Sequence, residues 1–312
     1  MNRYTAVHEA FNPTTLSNLY LDYGISTFAV VLDDGNYPNL PGIKYCSKKD
    51  NIREEFSNHV KKVNPKKICN FIDYLTQWES IDWEGETVYF IRSLYAANRD
   101  TEKKLSKWKK RELERLYLAD IIVTDSPNSQ KVLKKHYRMD SYLCWEYVNP
   151  IKYLDVPIQT DLDHYYIIGR HDKEKRFNII NKRHHTKMTV IGDKELSNKS
   201  YINFKSLGLM PFEKYIKYIK SATFGIFPSY WESNGYTVQE CLAMGKVPIV
   251  QIGSGGNERL CNTSNSITID FDNQGWFKKP ENIREMQQNA KSTLTYNMYK
   301  NSLEKFVEIM YS

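Results

Sequence analysis

Short apolar runs of four to six residues alternate with longer stretches of helical period along this chain. Tyr4–Val7, Thr27–Leu32, Lys67–Phe71, Thr87–Ile91 and Ile121–Thr124 are rich in β-branched and aromatic residues and read as strands. Between them Thr14–Tyr23, Asp50–Val63, Glu102–Ala119 and Ser126–Tyr137 read as helices, the last opened by Ser126 as N-cap with Pro127 in its first turn. The irregular stretch Asn149–Asp163 reads as a linker. A second series follows it, with strands at Tyr165–Ile168, Lys187–Ile191, Thr223–Phe227, Val247–Gln251 and Ser266–Ile269. Helices are expected near Phe177–Lys182, Pro211–Ala222, Thr237–Met244 and Asn257–Leu260, and from Pro280 onward. Such alternation implies βαβ units and parallel sheets. The expected architecture is two α/β domains of similar size, 1–155 and 156–312. Ligands in such folds bind outside the C-terminal ends of the strands, here in the crevice between the domains.

Composition narrows the class. With 312 residues, 41% hydrophobic and 26% charged, the chain has the profile of a globular protein. The mean hydropathy is −0.61, and no apolar run reaches the roughly 18 residues of a spanning helix. The opening MNRYTAVHEAFNP lacks the apolar core of a signal peptide. Cys46, Cys69, Cys144, Cys241 and Cys261 form no CxxC or Cys/His cluster, so neither a disulfide framework nor a zinc site is expected, and a reducing cytoplasm is. His184 and His185 are adjacent and point in different directions, so no metal site is assigned there. The net charge of +7 suits an anionic ligand, a membrane surface or a nucleic acid without choosing among them.

The most informative segment is Phe227–Val250, FPSYWESNGYTVQECLAMGKVPIV, which reads strand, tight loop, helix, Gly stop, strand. Glu232 lies in the loop and Glu240 in the helix. The Glu-x7-Glu spacing alone carries nothing: with 20 Glu in the chain, about one such pair arises from composition. The setting carries the signal. Ser233, Asn234 and Gly235 lead into the helix start, whose free N–H groups and dipole make an anion site. A carboxylate just before it can bond ligand hydroxyls, and Glu240 can reach a ribose. In Tyr165–Phe177, YYIIGRHDKEKRF, a strand ends at Gly169, Arg170 follows, and Lys175 stands near the next helix start. A guanidinium and an ammonium there suit a diphosphate; taken alone, they also read as a solvated basic turn. In Ile252–Glu258, IGSGGNE, the glycines allow a ligand close approach to the backbone, or simply form a turn.

Taken in order, GRHDKEK, VIGD, SLGLMP, the Glu-x7-Glu segment, AMGKVPIV and GSGGNE resemble the donor-binding domain of the family-4 retaining glycosyltransferases of the GT-B fold. The resemblance covers roughly Tyr165–Leu260. It implies two Rossmann-like domains facing across a cleft, with the last helix returning to the first domain. It also implies transfer of a hexosyl unit from a nucleotide sugar, UDP-linked first and GDP-linked second, with no metal and no cofactor beyond that co-substrate. Arg170 and Lys175 would hold the diphosphate. Glu232 would contact donor-sugar hydroxyls, helped by Ser233, Asn234 and the amides near Gly235, Tyr236 and Thr237. Glu240 would bond the ribose, with Leu209 and Met210 near the base. Arg170, Lys175 and Glu232 are the expected catalytic residues.

The first half resembles the family through WKKRELERLYLADIIVTDSPNSQKVLKKHY. It departs at VHEAFNPTT, where a Gly-rich turn is usual, and at FIRSLYA, where a His is frequent. His8, Asn12, Arg92 and Ser93 therefore mark an altered acceptor side, and a non-catalytic partner subunit stays open. Thr101–Arg115 holds seven Lys/Arg and three Glu. It reads as a solvated helix face, or as a basic helix for anionic lipid or a phosphate backbone. A glycan or lipid-linked acceptor at the inner membrane face is preferred over a DNA base, because 23 basic residues meet 21 acidic ones in 1–155 and no helix-turn-helix or zinc module is present.

Overall fold

The computed structural model describes Leu19, residues 21–22, 24, 27–31, 41–47, 51–70, 83–91, Leu94, 110, 112–158, 161–169, Arg176, 187–192, 204–208, 212–273 and 278–312. The expected strand Tyr4–Val7, the expected helix Phe177–Lys182 and parts of Thr14–Tyr23 and Glu102–Ala119 lie outside these residues. The chain divides into two compact units. One comprises Met1–Glu146 with Asn301–Ser312, and the other Tyr147–Lys300.

In the first unit, β1 (Thr27–Val31) pairs in parallel with β2 (Ile43–Ser47). A four-stranded parallel sheet runs β3 (Lys67–Asn70), β4 (Glu86–Ile91), β5 (Ile121–Thr124), β6 (Tyr142–Leu143). Its core gathers Tyr89, Ile91, Leu94, Leu116 and Leu133. The Pro127–Tyr137 helix opens as expected: the Ser126 hydroxyl accepts from the Ser129 amide at 3.2 Å, and Pro127 follows where its missing N–H costs nothing. Residues 301–312 complete this unit. Phe306 packs on Phe90 with ring centres 6.0 Å apart, Lys67 Nζ donates to the Ile309 carbonyl at 3.4 Å, and the Cys144 thiol to that of Ser302 at 3.4 Å.

The second unit carries six parallel strands: β7 (His164–Gly169), β8 (Lys187–Gly192), β9 (Phe204–Leu207), β10 (Phe224–Phe227), β11 (Val247–Gln251) and β12 (Ile267–Ile269). Their spatial order is β12-β11-β10-β7-β8-β9. Counted from β7 this is the doubly wound order 3-2-1-4-5-6, whose direction reverses between β7 and β10. The ladder there runs through Phe224↔Tyr165 and Gly225↔Tyr166, short of the C-terminal ends of both strands. Period-two alternation sends Tyr165, Ile167, Met188, Val190, Phe224, Ile226, Val247 and Ile249 to one core, which Ile283 and Met286 of the Ile283–Thr293 helix cover.

Several expectations need correction. Asn257–Leu260 is a chain of turns, not a helix: Glu258 N bonds Gly255 O at 3.1 Å and Cys261 N bonds Glu258 O at 3.0 Å. The helical tail from Pro280 is two helices, Ile283–Thr293 and Tyr296–Tyr311. Within the expected linker, residues 149–158 are anchored to the second unit. Pro150–Tyr153 forms a 3₁₀ turn, Tyr153 is fully buried, and Lys291 Nζ donates to the Leu154 and Val156 carbonyls at 3.0 and 2.8 Å. No described helix is long and apolar enough to cross a membrane.

Candidate functional site

Two loops leave the C-terminal edge beside the β7/β10 switch point, one after β10 and one after β11. They are stitched together through the backbone. Glu232 N donates to Ser254 O at 2.9 Å, and Gly256 N donates to Glu232 O at 2.7 Å. Glycine makes this approach possible. A Cβ on Gly256 would lie 2.5 Å from Ser233 O, one on Gly235 2.7 Å from Gly256 O, and one on Gly255 2.8 Å from the Trp231 ring. The glycine pair thus admits a neighbouring loop, a close approach the sequence alone did not reveal.

The Tyr236–Ala243 helix starts directly from this seam. Gly235 caps it in the left-handed region, φ 66° and ψ 46°, with no side-chain cap. Its carbonyl accepts from Val238 N and Gln239 N at 3.0 and 3.1 Å. The positive end of the helix dipole lies at this start, just ahead of those two bonded amides. Ser233 and Thr237 are half-buried beside it, while Asn234 and Tyr236 are buried. The Asn234 side chain is taken up by the protein itself. Its Oδ1 accepts from Arg259 and, at 3.1 Å, from Gln239 Nε2. Gln239 Oε1 in turn accepts from Val148 N at 3.0 Å, and the Arg259 guanidinium lies 4.4 Å from the centre of the Tyr147 ring.

Glu240 stands four residues beyond Tyr236, about 6 Å along the axis. It is 7% exposed, and Tyr215 Oη donates to its Oε2 at 3.2 Å. Beneath it, burial pushes the Cys241 thiol up to about 12 and holds the Tyr166 phenol well above its usual value. Gly225 makes room for this layer, since a Cβ there would meet the Phe227 ring at 2.7 Å and Cys241 Sγ at 2.8 Å.

No family model matches the chain, and no curated protein matches it by sequence. Solved structures do match. Sucrose-phosphate synthase from Thermosynechococcus elongatus superposes with a TM-score of 0.71 at 12% identity, over 95% of this chain and 91% of that one. A glycosyltransferase from Rickettsia africae gives 0.64 at 14% identity, over 97% and 93%. HepE of Anabaena, in complex with UDP-glucose, gives 0.64 at 11% identity, over 99% and 95%. The fold is of the GT-B class.

Within that fold the second unit brings Glu232, Ser233, Asn234, Gly235, Tyr236, Thr237 and Glu240 together on one loop and helix. Arg170, Lys175, Leu209, Met210, His8, Asn12, Arg92 and Ser93 lie outside the described residues. Sequence reasoning missed Tyr215, Gln239, Arg259 and Arg176. Gln239 offered a signal, a polar residue between the apolar positions Val238 and Cys241 of a buried helix. The other three act across long sequence separations that no spacing rule spans.

Proposed function

We propose that the chain transfers a hexosyl unit from a nucleotide sugar, UDP-linked in first place and GDP-linked in second, to a glycan or lipid-linked glycan with retention. One observation carries this reading: the Glu232 loop and the Tyr236–Ala243 helix start stand beside the switch point of a doubly wound sheet. The fold likeness to a protein solved with UDP-glucose adds support. In the reaction proposed, the bond from the anomeric carbon to the donor phosphate oxygen breaks, and its electron pair leaves with the nucleotide diphosphate. The acceptor oxygen bonds on the same face, and its proton passes to the departing phosphate. Arg170, Lys175 and the amides at the helix start would stabilise the growing negative charge. Glu232 would hold sugar hydroxyls and Glu240 the ribose. Thr101–Arg115 would bring the enzyme to an anionic inner membrane face.

Thermal shifts with UDP, GDP, ADP and CMP test the donor: at about 100 Kd the correct nucleotide adds about 2.7 kcal/mol. Slow release of free sugar from the matching donor, with the anomeric configuration retained, supports the reading. No shift and no release with any of them favours a non-catalytic subunit. Tight duplex-DNA binding that falls about 10³-fold between 50 and 200 mM salt, with no vesicle binding, favours a nucleic-acid acceptor.

A further inference from the structure

Arg176 follows Lys175 in sequence, and its backbone is left-handed, φ 55°, a region that residues with a Cβ seldom occupy. Its side chain is buried, with the residue 5% exposed. The guanidinium donates to Gln251 Oε1 at 2.9 Å and to the Pro228 carbonyl at 3.4 Å, and pairs with Asp272. It also lies 4.1 Å from the centre of the Tyr230 ring. These partners stand just after β10, at the end of β11 and just after β12. Gln251 extends the network: its Oε1 also accepts from the Phe271 amide at 3.0 Å, and its Nε2 donates to the Ile252 carbonyl at 3.1 Å.

Burying a guanidinium is costly unless its donors are met, and a planar fork meets several acceptors at once. Here the fork reaches three segments of one sheet edge. A cation in this place invites a phosphate-binding reading, but its bonds go to the protein and Asp272 balances its charge. What it holds is informative. Pro228 has no N–H and so anchors through its carbonyl, which Arg176 takes. Tyr230, against the guanidinium, precedes Glu232 by two residues.

We propose that Arg176 is a positioning residue that fixes the Pro228–Glu232 loop, and through it the Glu232 carboxylate, against the end of β11 and the segment after β12. The catalytic consequence rests on the function proposed above; the positioning itself does not. Arg176→Lys keeps the charge and loses the fork, while Arg176→Gly loses the side chain and relieves the backbone. Three quantities are measured in both: amide hydrogen exchange, hydrolysis of UDP-glucose, and Tm. Exchange in 227–234 should rise about tenfold or more while β7, β8 and β11 stay protected. The kcat should fall about 10- to 100-fold with KM changed less than about threefold, as expected of a misplaced group, and Lys should recover part of the Gly loss. Unchanged exchange at 227–234 overturns the proposal. So does a kcat within about twofold of wild type, a uniform rise in exchange across the sheet, or loss of the fold in both variants, on the scale of ordinary destabilisation. If the wild-type chain does not hydrolyse UDP-glucose, the kinetic arm uses the GDP-linked sugar; if neither is hydrolysed, the functional reading fails and the exchange pattern alone decides the role of Arg176.

Discussion

Gly256 donates its amide to the carbonyl of Glu232 at 2.7 Å, and this contact leaves no room for a Cβ on either side of the seam. Gly235→Ala combines a left-handed backbone with a Cβ 2.7 Å from Gly256 O and should cost about 2–5 kcal/mol, the sum of strain and overlap. Gly253→Ala is the matched control. Its φ is 75°, but nothing lies within 4 Å of the added carbon, so about 1–2 kcal/mol of backbone strain remains. Denaturant unfolding of the two variants should separate them; equal losses would mean the seam is not tightly packed.

In the reaction proposed, Arg170 and Lys175 would stabilise the leaving group. Replacing either by Ala should lower kcat for donor hydrolysis about 10²–10³-fold, the loss typical of one charge-stabilising donor, with Tm little changed. Activity that survives the double replacement would remove both from the mechanism.

Tyr215 offers a finer probe. Tyr215→Phe removes the hydroxyl that donates to Glu240 Oε2 at 3.2 Å and keeps the ring in place. Losing one hydrogen bond to a buried carboxylate should weaken nucleotide binding about 3- to 10-fold. The kcat should barely move, because the ribose contact proposed for Glu240 would be made equally in ground and transition states. Calorimetric titration with the nucleotide compared with turnover checks the split.

The pH response follows from three buried groups. Desolvation brings Lys246 down from 10.5 to about 8, although its Nζ donates to the Lys220 carbonyl at 3.0 Å and to that of Ala222 at 2.5 Å. Between pH 8 and 10.5 the unfolded chain therefore binds more protons at this site than the folded one, and stability rises with pH. Burial pushes Cys241 and Cys261 from 9 up to about 12. They have the opposite sign: their contribution is complete below pH 9 and is lost as pH climbs toward 12. Tm should rise modestly from pH 7.5 to 9 and then fall. Lys246→Met should flatten the rise and leave the fall.

The parts legible in sequence were those that local chemistry decides. Central strands such as β7, β10 and β11 are apolar on both faces because helices cover both, and their runs stand out. The strands that escaped notice were β2, β6 and β9. FKSL of β9 and YL of β6 lie at sheet edges, where short, half-polar strands are the rule. In the candidate site, Glu232, Gly235 and Glu240 could be read from one continuous segment. The partners that fix them, Ser254, Gly256, Tyr215 and Arg176, come from other strands and depend on tertiary packing.

The first unit is closed by residues 301–312, after the whole of Tyr147–Lys300 has been made. At 5–20 residues per second, a ribosome needs roughly 8–30 s to translate that insert. For that interval the nascent sheet β3–β6 lacks Phe306 against Phe90 and leaves Cys144 and Lys67 without the carbonyls of Ser302 and Ile309. Of the two units, the one that comes first along the sequence is thus completed after the other, and a stop codon shortly before Asn301 would injure it while sparing most of the sheet that carries Glu232.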